Sequence, residues 1–322
     1  MCLVALALDK SRRFPLVIAS NRDEFFKRPA ARLAWWTAKP GQPAILGGRD
    51  LESGGTWLGL TAQGRLALVT NVRAGLATDP AAPSRGRIVA EWLAAGEPVG
   101  NFWMRTALAG HNGFNLVAAD FQRGECFWAS NMKANPQRLE RGIYGLSNGG
   151  LDSTWPKVTA LKGRLAASLA TASSVDELAA QLFNALADRQ LAPLGDLPST
   201  GIPAAREQQL SAAFIRMPDL AYGTRCSTLV ITERGARQPT THVFERTFTA
   251  NDGVALLRRS TLRNWPPRYC DDGVQMTSEQ SAVSESEVTN DQGGDAPERR
   301  TRVRTLLKPD ARRRARSTPE SR

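Results

Sequence analysis

Histidine and cysteine are scarce in this sequence. Its 322 residues include two histidines, His111 and His242, and four cysteines that stand far apart. No two cysteines form a CxxC pair, whereas a structural zinc site needs clustered Cys or His ligands. The sequence therefore predicts no metal site and no cofactor, and it predicts reduced thiols in a cytoplasmic protein. Two histidines also leave few candidates for a Ser–His or Cys–His dyad.

Long apolar runs are absent as well. No stretch approaches the ~20 apolar residues that a membrane-spanning helix needs. The N-terminal apolar residues are not preceded by basic ones, which does not fit a secretory signal. We expect no membrane span.

The charge of the chain is concentrated in an unusual way near its end. The net charge is +11, yet residues 271–298 carry eight acidic residues and no basic ones, and residues 299–322 carry ten basic residues and two acidic ones. These two blocks cancel, so the excess belongs to residues 1–270. Rich in Ser, Glu, Gln and Gly, residues 266–322 are predicted to be a disordered tail. We expect no nucleic-acid partner, although a basic arm that touches RNA or a membrane is the alternative. The sequence gives no oligomeric state.

Residues 1–265 alternate strand-like and helical patterns. CLVALAL and FPLVIAS flank DKSRR as a predicted hairpin, and STLVITER with THVFERTF predicts another. Helical spacing recurs in RIVAEWLA, in STWPKVTALKGRLAASLA and in SVDELAAQLFNALADR, the last with a capping box that begins at Ser173 or Ser174. Groups of strands separated by paired helices predict an α+β layered domain over residues 1–265.

The opening MCLVALALD admits two interpretations of Cys2. It is either a buried apolar filler at the head of a strand, or, once Met1 is removed, a terminal nucleophile. In the second case one residue carries both a thiol and an α-amine with a pKa near 7.7–8.0, and this amine replaces a histidine base.

Four polar residues, Asn21, Arg22, Asp23 and Glu24, end the second strand. In a strand, Asn21 and Asp23 face one way while Arg22 and Glu24 face the other. The predicted hairpin brings this cluster beside Cys2, where the carboxylates hold the α-amine and Arg22 lowers the thiol pKa. The alternative is a surface turn with a local ion pair.

A glycine-dense segment, GGRDLESGGTWLG, does not match a phosphate-binding loop. It predicts a loop whose backbone passes close to a pocket, pinned by Trp57. Arg49 and Asp50 either line that pocket or pair with each other on the surface. Arg225, in GTRCSTLV, either binds a carboxylate or phosphate of the substrate or bridges carboxylates within the fold.

Several motifs occur together in order: the MC start, NRDE, GGRDLESGGTWLGLTAQGRLALVTNVR, SRG at 84–86, FNLVAAD, YGLSNGGLDSTWPKV and YGTRCSTLV. Together they resemble the NRDE family, which also takes its name from Transport and Golgi organisation protein 2. The resemblance implies an N-terminal-nucleophile hydrolase-like fold: a four-layer αββα sandwich of two antiparallel sheets between helices.

A more distant resemblance, to choloylglycine hydrolases and penicillin V acylases, implies chemistry. Those enzymes also begin Met-Cys and cleave amides with the exposed cysteine. Their two asparagine-bearing segments map to Asn71 and Asn148, which implies oxyanion donors at these positions. Their RxxD pattern departs from NRDE here, so either Asn21 and Glu24 or Arg22 and Asp23 take its roles.

These observations lead to two hypotheses about function. The first is a cysteine-dependent hydrolase that cleaves an amide or thioester of a small lipid-like acid. Its catalytic residues are Cys2, Arg22, Asp23, Glu24, Asn71 and Asn148, and its substrate-binding residues are Asn21, Arg49, Trp57 and Arg225. The second is a non-catalytic carrier of haem or acyl-CoA on the same fold, with His111, His242 or Cys2 as haem ligand.

Overall fold

The computed structural model describes residues 2–75, 78–133, 135–250 and 256–266. These residues form fourteen strands and five α-helices. The strands are β1 (Cys2–Leu8), β2 (Leu16–Phe25), β3 (Ala30–Thr37), β4 (Ala44–Asp50), β5 (Leu58–Thr61), β6 (Arg65–Asn71), β7 (Phe114–Asp120), β8 (Glu125–Ser130), β9 (Gln137–Arg138), β10 (Gly142–Leu146), β11 (Arg216–Met217), β12 (Tyr222–Arg234), β13 (Pro239–Thr247) and β14 (Leu256–Arg263). The helices are α1 (Gly86–Ala94), α2 (Val99–Ala107), α3 (Pro156–Thr171), α4 (Val175–Leu186) and α5 (Ala204–Gln209).

The strands form two antiparallel sheets. Sheet 1 has the order β10-β1-β2-β12-β13-β14, with β11 paired to β12. Sheet 2 runs from β3 to β9 in sequence order, as a meander. The chain leaves sheet 1 after β2, completes sheet 2, and returns to sheet 1 with β10. Residues distant in sequence therefore meet where the two sheets face each other.

The first hairpin fixes the orientation of Cys2. β1 pairs with β2 so that Cys2 lies opposite Arg22, as the sequence predicts. Even-numbered residues such as Val4 and Ile18 pack between the sheets, while odd-numbered residues such as Leu3 pack against helices. Because side chains alternate along a strand, Cys2 and Arg22 stand on the face between the sheets.

Three apolar cores define four layers. The inter-sheet core combines residues such as Leu6 of sheet 1 with residues such as Leu60 of sheet 2. A second core joins sheet 1 to α3 and α4, and a third joins sheet 2 to α1 and α2, where Trp92 is fully buried. Burial of each large apolar side chain contributes about 1.5–3 kcal/mol. The predicted α+β, four-layer αββα sandwich is confirmed.

The predicted capping box is present at the start of α4. Ser174 is the N-cap and its hydroxyl accepts from the Glu177 backbone N–H, while the Glu177 carboxylate accepts from the Ser173 backbone N–H. These bonds satisfy donors that a helix start otherwise leaves free. They fix the residue at which α4 begins.

The charged C-terminal segment predicted to be disordered lies, from residue 267 onward, outside the described residues. The domain boundary at 265 stays a prediction. Within the described ranges, no helix has both the length and the apolar character needed to cross a membrane.

Candidate active site

A cavity of about 450 Å³ opens where the two sheets and the segment 78–86 meet. Sheet 1 contributes Cys2 and the end of β2, and sheet 2 contributes the end of β4, the two residues just before β5 and the end of β6. Its lining residues, most of them polar or charged, are Cys2, Arg22, Asp23, Glu24, Arg28, Asp50, Glu52, Ser53, Thr56, Trp57, Val69, Asn71, Thr78, Asp79, Pro80, Ala82, Pro83, Ser84, Arg85, Gly86 and Asn112.

Cys2 is buried at the wall of this cavity, with 7% of its surface exposed. Its backbone carbonyl accepts a 3.0 Å hydrogen bond from the hydroxyl of Ser147. Burial raises the pKa of the Cys2 thiol, and the nearby charge of Arg22 only partly opposes that rise. The charge of Arg22 acts to lower the thiol pKa, as expected, but desolvation outweighs it, so the pKa of Cys2 is raised in the chain that carries Met1.

Arg22 lies beside Cys2 and is almost fully buried. Its guanidinium stacks on Trp57, 4.4 Å from the ring centroid. Nη2 stands 3.8 Å from Asp50 Oδ2 and 3.9 Å from Glu24 Oε2, too far for hydrogen bonds. Nη1 has no hydrogen-bond partner among the described residues. The site thus holds a buried cation with unused donor capacity.

The two predicted oxyanion asparagines occupy different positions. Asn71, at the end of β6, lines the cavity, and its carboxamide makes no hydrogen bond within the described part of the chain. Asn148 is fully buried behind it and does not line the cavity. The Asn148 Nδ2 donates a 2.8 Å bond to the backbone carbonyl of Asn71. Asn148 therefore supports Asn71, and Asn71 alone of the two faces the cavity.

Asp23 and Glu24 flank Arg22 on β2. Asp23 lines the cavity, and its Oδ1 accepts a 2.7 Å bond from the hydroxyl of Thr224. Burial raises the pKa of Asp23, although the charge of the buried Lys157 opposes this. Burial in turn lowers the pKa of Lys157 to about 8. Glu24 also lines the cavity and accepts a bond from the backbone N–H of Phe25.

Three predicted substrate-binding residues lie outside the cavity lining. Asn21 faces the helices, where its Nδ2 donates to the carbonyls of Leu186 and Ala213 and its Oδ1 accepts from Ser227. Asn21 is therefore turned away from the cavity, whereas its neighbours Arg22, Asp23 and Glu24 line it.

The two arginines that sequence analysis assigned to the substrate also make other contacts. The guanidinium of Arg49 stacks on Trp36, at 4.8 Å from the ring centroid. Arg225 Nη1 donates to the carbonyls of Phe25 and Arg28. Arg225 thus supports the turn after β2, whereas Trp57, the fourth predicted binding residue, does line the cavity.

Two further charged residues in the lining, Arg28 and Arg85, were not identified from the sequence, whereas Asp50 was considered for the pocket and does line it. Arg28 donates to Asp50, Glu52 and Ser53 at 2.7–2.8 Å. Burial acts to raise the pKa of Asp50, but the hydrogen bond from Arg28 and bonds from backbone N–H groups hold it below its ordinary value.

The second missed group is Arg85, in the SRG motif. Burial lowers its pKa, and the negative charges of Glu24 and Cys2 oppose this shift. Gly55, in the glycine-dense segment, lies directly against Gly86, because a Cβ on Gly55 would lie 2.3 Å from the carbonyl carbon of Gly86. This close approach brings Arg85, the residue before Gly86, to the cavity. Because only glycine allows this approach, the presence of both GG and SRG was the sequence signal that could have identified Arg85 as a cavity residue.

Among solved structures, the chain is similar to a mutant of conjugated bile acid hydrolase from Clostridium perfringens. The TM-score is 0.43 with 11% identity, over 90% of this chain and 97% of that one.

Similarity to characterised sequences is higher. The Transport and Golgi organization protein 2 homolog of Bos taurus is 30% identical over 84% of this chain and 96% of its own length. The human homolog is 30% identical over 72% of this chain and 89% of its own length, and the Drosophila melanogaster protein is 28% identical over 78% and 94%. The family profile named Transport and Golgi organisation 2 matches residues 1–250. The chain belongs to this family.

Proposed function

We propose that this protein is a hydrolase of amide or thioester bonds, with Cys2 as the nucleophile after Met1 is removed. The observation that carries the proposal is that Cys2 and Asn71 line one cavity, with the Asn71 carboxamide unpartnered in the described structure. Acyl transfer needs a nucleophile and an amide donor that face the same space.

In the proposed reaction, the α-amine of Cys2 accepts the thiol proton while Sγ attacks the carbonyl carbon of the substrate. Negative charge develops on the carbonyl oxygen, and the Asn71 amide donates a hydrogen bond to it. The intermediate collapses, the C–N or C–S bond breaks, and the leaving group takes the proton from the α-ammonium. Water then gives a proton to the amine, attacks the acyl-cysteine, and releases the acid with the free thiol.

The neighbouring charges support these steps. Arg22 opposes the desolvation of the thiolate, since its charge lowers the pKa of Cys2. Asp23 and Glu24 line the same wall and provide carboxylates for the α-ammonium. Asn148 keeps the Asn71 backbone in place through its 2.8 Å bond.

The composition of the cavity bears on the substrate. The sequence resemblance implies a lipid-like acid, but charged side chains dominate the lining, and Trp57 and Val69 are its largest apolar members. Apolar ligands need predominantly apolar walls. The cavity therefore favours a polar acyl substrate.

Carriage of haem or acyl-CoA stays the alternative prediction. Neither His111 nor His242 is among the described residues that line the cavity, so Cys2 would have to ligate haem there. Titration of haem into wild-type and Cys2→Ser protein checks this hypothesis. A Soret band that is lost in Cys2→Ser shows that Cys2 ligates haem, and a band that survives the substitution shows that haem binds without Cys2.

The first test is peptide mass spectrometry of the N-terminus, followed by hydrolysis assays with acyl amides and acyl thioesters. We expect Met1 to be absent, the wild type to turn over, and Cys2→Ala to lose at least a hundredfold in kcat. Cys126→Ser is the matched control, because Cys126 is a buried cysteine of β8 outside the cavity.

Two results would overturn the proposal. One is full activity in Cys2→Ala. The other is an active protein in which Met1 is retained, because the α-amine would then not belong to Cys2.

A further inference from the structure

Part of the cavity is not used by the proposed reaction. Ser84, Arg85 and Gly86 line it at the start of α1. This helix has no side-chain cap at its N-cap residue, Arg85, and no acidic residue in its first turn. The backbone N–H groups of Arg87 and Ile88 donate to the carbonyls of Ser84 and Arg85. The helix dipole still makes this end partially positive, and Arg85 adds a full charge beside it. This wall therefore attracts anions.

An independent observation on the opposite wall points to a ligand. The side chain of Arg22 is only 6% exposed, it lines the same cavity, and its Nη1 has no hydrogen-bond partner among the described residues. Buried donors are nearly always paired, so the unpartnered Nη1 leaves the guanidinium of this cavity-lining residue short of one acceptor.

The cavity lining also carries five carboxylates, those of Asp23, Glu24, Asp50, Glu52 and Asp79, so the partners of each decide where positive charge remains. Arg28 pairs with Asp50 at 2.7 Å and with Glu52 at 2.8 Å. Asp79 Oδ1 accepts from the backbone N–H of Ala81. Glu24 remains near Arg22, at 3.9 Å. Asp23 accepts a bond from the Thr224 hydroxyl. Arg85 donates to the backbone carbonyl of Gly113 and makes no ion pair within the described part of the chain, so no contacting carboxylate neutralises its charge.

We propose that the cavity binds its substrate through an anionic group, a carboxylate or a phosphate, held between Arg22, Arg85 and the N-terminus of α1. Planar guanidinium groups bind both kinds of oxyanion in bidentate geometry. The substrate is then an acidic acyl compound whose scissile carbonyl lies at Cys2. The assignment as substrate rests on the proposed function, but anion binding does not require turnover.

The test measures binding in Cys2→Ala protein, so a failure of hydrolysis cannot imitate a failure of binding. Glutarate and inorganic phosphate are titrated separately by calorimetry at constant ionic strength. We expect saturable binding of at least one, and at least a tenfold loss of affinity in Arg85→Gln with recovery in Arg85→Lys. Arg87→Gln is the matched control, because it removes the same charge from an exposed residue of α1 outside the cavity.

The two probes separate the chemistries, since preference for glutarate indicates a carboxylate and preference for phosphate a phosphoryl group. Two results would overturn the proposal: no saturable binding of either anion, or an equal loss in Arg85→Gln and Arg87→Gln, which shows a diffuse charge effect. Where a substrate is turned over, Arg85→Gln should raise KM tenfold and leave kcat within threefold.

Discussion

The side-chain amide of Asn148 donates a 2.8 Å hydrogen bond to the backbone carbonyl of Asn71, and so joins the loop after β10 to the end of β6. Nearby, the Thr70 hydroxyl donates to the carbonyl of Ser147 at 2.6 Å, and the Arg73 backbone N–H donates to the carbonyl of Asn148. These bonds connect sheet 1 to sheet 2 directly behind the cavity. They fix the position of Asn71 relative to Cys2.

This arrangement predicts different effects for the two asparagines. Asn71→Ala should lower kcat about 10²–10³-fold with little change in stability, because its carboxamide has no described partner. Asn148→Ala should lower kcat and also cost about 1–3 kcal/mol of unfolding free energy, since it leaves a buried carbonyl unpaired. Urea unfolding and steady-state kinetics measure both effects. Asn184→Ala, at an exposed position of α4, is the control, and equal stability losses at Asn71 and Asn148 would contradict the assignment.

A second prediction concerns Gly48, which gives Trp57 the space to lie under Arg22. A Cβ at Gly48 would lie 2.3 Å from Cζ2 of Trp57, so Gly48→Ala must displace the indole. We expect a loss of about 1–3 kcal/mol in unfolding free energy from overpacking, together with weaker anion binding. Chemical denaturation and calorimetry measure the two effects. Gly100→Ala is the matched control because its Cβ meets nothing within 4 Å. A Gly48→Ala protein as stable as that control would contradict the prediction.

A third prediction concerns Glu245 on β13, near the site but outside the cavity. Its Oε1 accepts a 2.6 Å bond from the Leu33 backbone N–H, and burial raises its pKa from an ordinary 4.5 to about 7. The folded state therefore holds this proton more tightly than the unfolded state does. Protonated Glu245 therefore adds to the free energy of unfolding. This contribution is fully present below about pH 4.5 and is lost as the pH rises to about 7.

Glu245→Gln should remove this dependence. At pH 8 the variant should be more stable than the wild type by up to about 3 kcal/mol, and the difference should shrink toward pH 4.5. Thermal and urea unfolding across that range measure it. Glu91→Gln, at an exposed position of α1, should leave the pH profile unchanged. A parallel profile for Glu245→Gln and the wild type would show that Glu245 does not titrate in this window.

The parts predicted correctly from the sequence depend on local signals. The first hairpin follows from two adjacent apolar runs, and the alternation along β2 then separates Arg22 from Asn21. The parts that were missed depend on long-range packing. Arg85 reaches the cavity from a segment that no local pattern links to Cys2. Asn148 was expected as an oxyanion donor, but it does not line the cavity, and its bond to Asn71, which crosses between the sheets, could not be predicted from the sequence.

Secondary structure was missed where local patterns are weak. The short helix α2 includes Gly100 and has several exposed residues, so its apolar face is narrow. β3 and β14 are strands at the ends of their sheet orders with few buried residues, and this weakens the alternation that identifies a strand.

The hairpin that begins at Cys2 also has a consequence for biosynthesis. Chains are synthesised from the N-terminus, and β12, which flanks β2 in sheet 1, follows Cys2 by more than 200 residues. The burial that raises the thiol pKa therefore cannot be complete until most of the domain has been translated. Until then the thiol of the nascent chain has the reactivity of an ordinary exposed cysteine, open to oxidants that the folded protein excludes.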